Sequence, residues 1–296
     1  MYLKRSRIAL AQTNSVLGDI ERNVSMHCDR AAKAAASGAD AIIFPELSLT
    51  GYTLRDINFD VALDASSDKR LDPLRKLSKD ITIICGGVER TPSGGVYNTA
   101  FTFEGGKLIH GHHKVYPPTY GIFEEERYFL QGTSAEAFDS EKLGRIGILV
   151  CEDLWHPSLP YLTAHQGAQM IITIAASPTR LGVGDHSESD MPSNYIINRD
   201  HHIAYARLHG VYMVFVNRVG VEDGVNFWGG SEVVAPDGTV ISNAGFFDEE
   251  ILYVDIDPKA VRHAREYSRH MLDENLLLTH KILGEIVFGP KGGENR

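Results

Sequence analysis

Cysteine is scarce in this chain: Cys28, Cys85 and Cys151 are the three in 296 residues. An odd count without a CxxC pair argues against a disulfide framework or a zinc knuckle, and a reducing cytoplasm fits such a chain best. Positive charge is also short, with 29 Lys and Arg against 39 Asp and Glu for a net charge of −10. With no basic surface to release counterions, general nucleic-acid binding is not expected. No apolar run reaches the length of a membrane span, and the basic start, Met1 to Arg7, leads to Gln12, Thr13 and Asn14 without a signal-peptide core. No linker rich in Pro, Gly or Ser divides the chain. Metal ligation lacks a pattern too: His112-His113 and His201-His202 are adjacent pairs whose side chains diverge, with no HxxxH spacing beside a carboxylate. They are read as polar surface or hydrogen-bonded packing.

What is present is an α/β rhythm. Ile8–Gln12 predicts a strand, Ile20–Ser37 an alanine-rich helix closed by Gly38, and Ala41–Phe44 a buried strand. A short helix after Leu71-Asp72-Pro73 precedes Ile81–Cys85, a third strand whose trailing Gly86-Gly87 reads as a tight exit. Thr99–Phe103 and Lys107–His110 flank Glu104-Gly105-Gly106 as a hairpin, so the sheet is mixed. The second half predicts strands at Ile146–Val150, Met170–Ala175 and Val211–Val216, with a helix over Tyr195–His209. Ser231–Ala235 and Thr239–Ser242 then turn about Pro236-Asp237-Gly238, and a last helix runs from Pro258 to about Tyr267. There is no sequence repeat, but two βα-rich halves are able to build two similar packed sheets. Beyond Met271 lies a tail with apolar spots at Leu276, Leu277, Leu278, Ile286, Val287 and Phe288.

Three segments carry chemistry. Cys151 directly follows the apolar run Ile146–Val150, where strand ends of α/β proteins open into ligand crevices. Alone it would be read as packing, since cysteine is among the most buried residue types. Glu46 follows Ala41–Phe44, with Pro45 fixing the backbone, and Lys114 stands at the end of the hairpin before Pro117-Pro118. Alone these would be a capping carboxylate and a surface lysine. Together they supply what thiol attack on an amide needs: a base for the thiol proton, a cation for the oxyanion, and a nucleophile that holds the acyl group. In a shared dry pocket the lysine favours both carboxylate and thiolate. A papain-like Cys-His pair is the alternative, although His156, the nearest histidine in sequence, carries no local signature for it.

FPELSLTGY around Glu46, HHKVYPPTYGIFEEERYF around Lys114 and GILVCEDLWHP around Cys151 resemble, in order and spacing, the three blocks of the nitrilase or carbon-nitrogen hydrolase superfamily. The resemblance covers Ile8 to about Asp257. It implies a four-layer αββα sandwich with two mixed β-sheets, no cofactor and no metal. It also implies a triad of Cys151 as nucleophile, Glu46 as base and Lys114 as oxyanion stabiliser. The family's second glutamate falls on Glu125, and the backbone N–H of Glu152 falls where the oxyanion hole is completed. Residues 1–270 are then one carbon-nitrogen hydrolase domain and 271–296 a tail that packs at a subunit interface. The expected state is a cytoplasmic homodimer or higher homo-oligomer, with no nucleic-acid or membrane partner.

Within the superfamily the blocks are most similar to the glutamine-hydrolysing domain of glutamine-dependent NAD synthetases. Tyr52 and Tyr120 fall where that branch has pocket aromatics, and Ala176-Ser177-Pro178 resembles its next strand end. Trp155, Ser177 and Trp228 join them as candidate pocket shapers. The branch's Gly-Lys pair and following arginine are missing from Thr179–Asn198, where Arg180 is the remaining candidate for a substrate carboxylate, and no synthetase segment is seen. The expectation is hydrolysis of a small linear amide to an acid and ammonia. Nitrile or N-carbamoyl hydrolysis, a glutaminase-derived binding or ammonia-supplying subunit of a separate synthetase, and a structural protein with a fossil site are the alternatives.

Overall fold

In the computed structural model, residues 1–179 and 192–289 are described. The first half contains β1 (Ser6–Gln12), α1 (Ile20–Ala36), β2 (Ala41–Ile43), α2 (Asn58–Val61), α3 (Asp72–Leu77), β3 (Thr82–Arg90), β4 (Val96–Glu104) and β5 (Lys107–His113). The second contains β6 (Ala137–Ser140), β7 (Gly144–Val150), α4 (Ser158–His165), β8 (Met170–Ala175), α5 (Ser193–His209), β9 (Tyr212–Asn217), β10 (Val219–Glu222) and β11 (Val225–Trp228). After these come β12 (Glu232–Val234), β13 (Val240–Asn243), β14 (Glu250–Ile256), α6 (Pro258–Tyr267), α7 (His270–Asp273) and α8 (Leu276–Phe288).

Two six-stranded mixed sheets result, ordered β14-β1-β2-β3-β4-β5 and β13-β12-β9-β8-β7-β6, with β10-β11 as a separate ribbon. Each has a parallel centre, β1-β2-β3 or β7-β8-β9, and antiparallel flanks. Strands buried on both faces read as continuous apolar runs, and their alternation divides each run between two layers. In β2, Ile42 faces the helices with Val24 and Ala31, whereas Ala41 and Ile43 join Ile148, Ile172 and Val214 between the sheets. In β8, Ile171 packs with Leu159, Tyr205 and Ala206 of α4 and α5, whereas Ile172 and Ile174 enter the inter-sheet core. This is the αββα layering expected.

Several features differ from the sequence reading, which anticipated neither β6 nor α4. β3 does not exit at Gly86-Gly87 but runs on to Arg90. Gly86 is needed for close approach instead, because a Cβ there would lie 2.3 Å from the Leu47 nitrogen and 2.9 Å from the Glu46 Cα. β14 and the β10-β11 ribbon were not anticipated; β14 returns from the end of the second half to pair along all of β1. The tail is largely helical, and Leu277, Ile286, Val287 and Phe288 of α8 are exposed on the single chain. Among the described residues, no helix is long and apolar enough to cross a membrane.

Candidate active site

Each candidate of the triad follows a strand on the same side of the sandwich. Glu46 lies just past β2 and Cys151 just past β7, both central parallel strands; β5, antiparallel to β4 and hence parallel to β3, delivers Lys114 to that same side. The chain thus brings together groups 68 residues apart in one pair alone, the Lys114 Nζ donating to Glu46 Oε1 at 2.8 Å. Nζ also lies 2.8 Å from both oxygens of Glu125, and Lys114 is 1% exposed. Glu46 is fixed from two further directions, by the Asn98 side-chain amide at 2.7 Å and the Ala176 N–H at 2.7 Å. About four acceptor positions exist on a carboxylate, so among the described residues these three bonds leave Glu46 one free.

The backbone on either side of this cluster takes unusual conformations. Leu47, next to Glu46, has φ +50°, and Cys151 has φ +47° at the start of a 3-10 turn. Non-glycine residues held there cost about 1–3 kcal/mol each and persist where surroundings over-determine them. The Leu47 turn is pinned by hydrogen bonds across Gly86, whose N–H donates to Pro45 O, while Gly86 O accepts from Leu49 N.

Electrostatics follow from burial and the mixture of charges. Burial alone would drive the Lys114 ammonium towards neutrality, but Glu125 and Glu46 outweigh it and hold its pKa well above the usual lysine value. Burial, with Glu46 as a like charge, lifts Glu125 to about 7 against the pull of Lys114. Cys151 differs from the expectation that the lysine would favour its thiolate. Lys114 does pull that way, but burial first, then Glu46, raises the thiol well above its ordinary pKa. The candidate nucleophile therefore rests as a neutral thiol, and attack by it would need a base.

The remaining candidates fall into two groups. Tyr52 belongs to the cluster, its hydroxyl donating to Glu125 Oε1 at 2.6 Å while burial and the adjacent Glu125 keep the phenol protonated. Its backbone N–H donates to Glu222 of the ribbon at 2.9 Å, as does that of Thr53 at 2.6 Å, and its ring meets Phe227 edge-on. Ser177 lines up beside Ala176: its N–H donates to Asn217 Oδ1 at 2.8 Å, and its hydroxyl accepts from the fully buried Trp228 Nε1 at 3.1 Å. Tyr120 is half exposed, donating at 2.8 Å to the Glu152 carboxylate, whose pKa burial raises. Trp155 is not drawn into the hydrogen-bonded cluster; its ring stands edge-on to His201 of α5. Arg180 lies outside the described residues.

Sequence reasoning missed Asn98, Asn217, Glu222 and Asp153. A signal was available for two of them: Asn98 is a polar residue inside an apolar strand, and Asp153 follows the candidate nucleophile by two positions. Three of the four histidines in the adjacent pairs make side-chain hydrogen bonds. His112 meets Asp153 at 2.8 Å, His113 meets Glu89 at 2.9 Å, and His202 meets Glu232 at 2.7 Å.

A family model described as carbon-nitrogen hydrolase matches residues 7–266. The glutamine-dependent NAD(+) synthetase of Thermotoga maritima is 31% identical over 86% of this chain and 42% of its own length. That of Acinetobacter baylyi is 30% identical over 89% of this chain and 46% of its own. The chain therefore spans about half the length of the curated relatives it matches. A solved structure of the amidase from Nesterenkonia sp. AN1 is 26% identical, with a TM-score of 0.74 over 95% of this chain and 98% of that one. In it, the acetamide moiety of fluoroacetamide is covalently added at the active-site cysteine of that amidase.

Proposed function

This chain belongs to the carbon-nitrogen hydrolase family, and on that premise we propose that it hydrolyses a small linear amide through a thioester on Cys151. The observation that carries the reading is the buried Lys114 ammonium, 2.8 Å from both Glu46 and Glu125, whose charge pulls the Cys151 thiol towards ionisation. Glu46 takes the thiol proton through its remaining acceptor position as sulfur attacks the carbonyl carbon. The oxygen becomes an oxyanion beside Lys114 and the Glu152 backbone N–H. Collapse breaks the carbon-nitrogen bond, Glu46 returns the proton to the leaving nitrogen, and ammonia departs. Water then attacks the thioester with Glu46 as base, releasing the acid and restoring the thiol. Glu125, held by Tyr52, keeps the ammonium in place. Tyr120, Glu152 and Ser177 are assigned to the substrate pocket and Trp155 to its outer wall.

Two neighbours support this reading: the Nesterenkonia amidase over nearly its whole length, and the synthetases over about half of theirs. The second similarity also favours glutamine as the amide, with the ammonia consumed by a synthetase. The test is ammonia release across aliphatic amides, glutamine, asparagine, nitriles and carbamoyl compounds, with Cys151→Ala as the blank. Release from a linear amide that disappears in the variant is expected; undiminished release by Cys151→Ala would overturn the proposal. Silence with every compound would overturn it too. Glutamine as the preferred compound, together with retention of a synthetase in pull-downs, would select the second reading. The exposed apolar side chains of α8 further support a homo-oligomer that covers them.

A further inference from the structure

The mechanism above uses no part of Asp153, yet its side chain is fully buried beside the nucleophile. Both oxygens are saturated. Oδ1 accepts from the backbone N–H of Val115 at 2.9 Å and of Tyr116 at 3.0 Å. Oδ2 accepts from the backbone N–H of Val150 at 3.0 Å and from His112 Nε2 at 2.8 Å. These four donors fill the positions available on a carboxylate. Their places in the chain are what matters: Val115 and Tyr116 directly follow Lys114, His112 precedes it by two, and Val150 directly precedes Cys151.

Those donors come from different sheets, His112 on β5 of the first and Val150 on β7 of the second. One carboxylate therefore fastens the segment that carries the cation to the turn that carries the nucleophile. The bond to the Val150 N–H also closes the turn over Cys151, whose φ of +47° demands external support. We infer that Asp153 is a positioning residue that sets the Lys114 ammonium and the Cys151 thiol in register across the two sheets. This rests on the proposed roles of Lys114 and Cys151. It assigns to Asp153 the orientation of the reacting groups and no contact with substrate.

Asp153→Asn keeps the shape but replaces one acceptor oxygen with a donor, so one side of the latch must open whichever way the amide is turned. Misplacement by about 1 Å lowers turnover about 100-fold, and that is the expected loss of kcat, with KM within about threefold of wild type. The second readout is alkylation of each thiol by iodoacetamide, followed by peptide mass spectrometry. Cys151 labelling is expected to slow about tenfold, because alkylation displaces iodide by the thiolate, and a displaced base and cation would form and stabilise that thiolate less well, while Cys85 in β3 keeps its protection. Wild-type kcat and wild-type Cys151 labelling in the folded variant would overturn the inference. So would a parallel rise in labelling at Cys85 and Cys151, which marks general loosening. If Asp153→Asn fails to fold, His112→Ala removes one donor and leaves the three backbone bonds. It should lower kcat and Cys151 labelling severalfold, and no change in either would overturn the inference. If wild type hydrolyses no compound, the proposed function fails, yet the labelling comparison still decides the latch.

Discussion

Cys85 and Cys151 make an instructive pair. Both follow or sit within central strands, β3 and β7, and burial pushes both thiols above the ordinary cysteine pKa. Cys85 stands among Ile42, Ile83 and Phe101, with Cys28 the next influence on its titration. Around Cys151 the next influences are Glu46, Lys114, Glu125 and Glu152. Burial therefore raises both pKa values, although Cys85 is fully buried and Cys151 keeps partial exposure. On the proposed function, what further separates them is a base with a free acceptor position and a buried cation, which would convert an inert thiol into one that loses its proton on demand.

The comparison is broken most severely at Cys151 itself. Cys151→Ala should lower amide turnover by about 10⁵-fold or more, as loss of a nucleophile does elsewhere, with near-native thermal unfolding as the check on fold. Next comes Glu125→Gln, which removes one of the two carboxylates on Lys114; a loss of about 100-fold in kcat is expected, in the range for one electrostatic partner. The same variant carries a signature in stability. With its folded pKa at about 7 and its ordinary value 4.5, Glu125 favours the folded state below pH 4.5. That contribution declines as pH rises from about 4.5 to about 7, because the unfolded chain has released a proton the folded chain still holds. Denaturant unfolding across this window should show a decline in wild type that Glu125→Gln lessens, and an identical slope would contradict the assignment. The smallest effect is at Cys85: Cys85→Ala should leave kcat unchanged and cost about 1 kcal/mol in denaturant unfolding.

How much could be read in advance depended on how local the cause was. β2, β7 and β8 are buried on both faces, so their apolar runs announced them and located Glu46 and Cys151 at their ends. β14 pairs with β1 from 250 residues later at one end of the register, Ser6 with Ile256, and only a long-range partner makes it a strand. Gly86 looked like a stop because local rules treat paired glycines as punctuation. The folded chain shows a steric reason that depends on Leu47 passing over it. The candidate triad could be named because its residue types matched a chemical requirement and a family pattern, and the fold brings Lys114 against Glu46. Asn98, Glu222 and Asp153 were not, because a polar side chain's role rests on which donors the fold aims at it. Trp155 shows the reverse: proximity in sequence to Cys151 did not draw its ring into the hydrogen-bonded cluster.

The account stands on sulfur becoming acylated at one cysteine and not at the other two. The direct measurement is rapid acid quench of the wild-type protein during turnover of an amide found in the substrate panel, followed by digestion and mass spectrometry of the three cysteine peptides. An acyl mass confined to the Cys151 peptide, and absent when Cys151 is replaced by alanine, is the predicted result. Steady turnover with no acyl group on Cys151 under quench conditions that preserve thioesters, or an acyl group on Cys85, would contradict it.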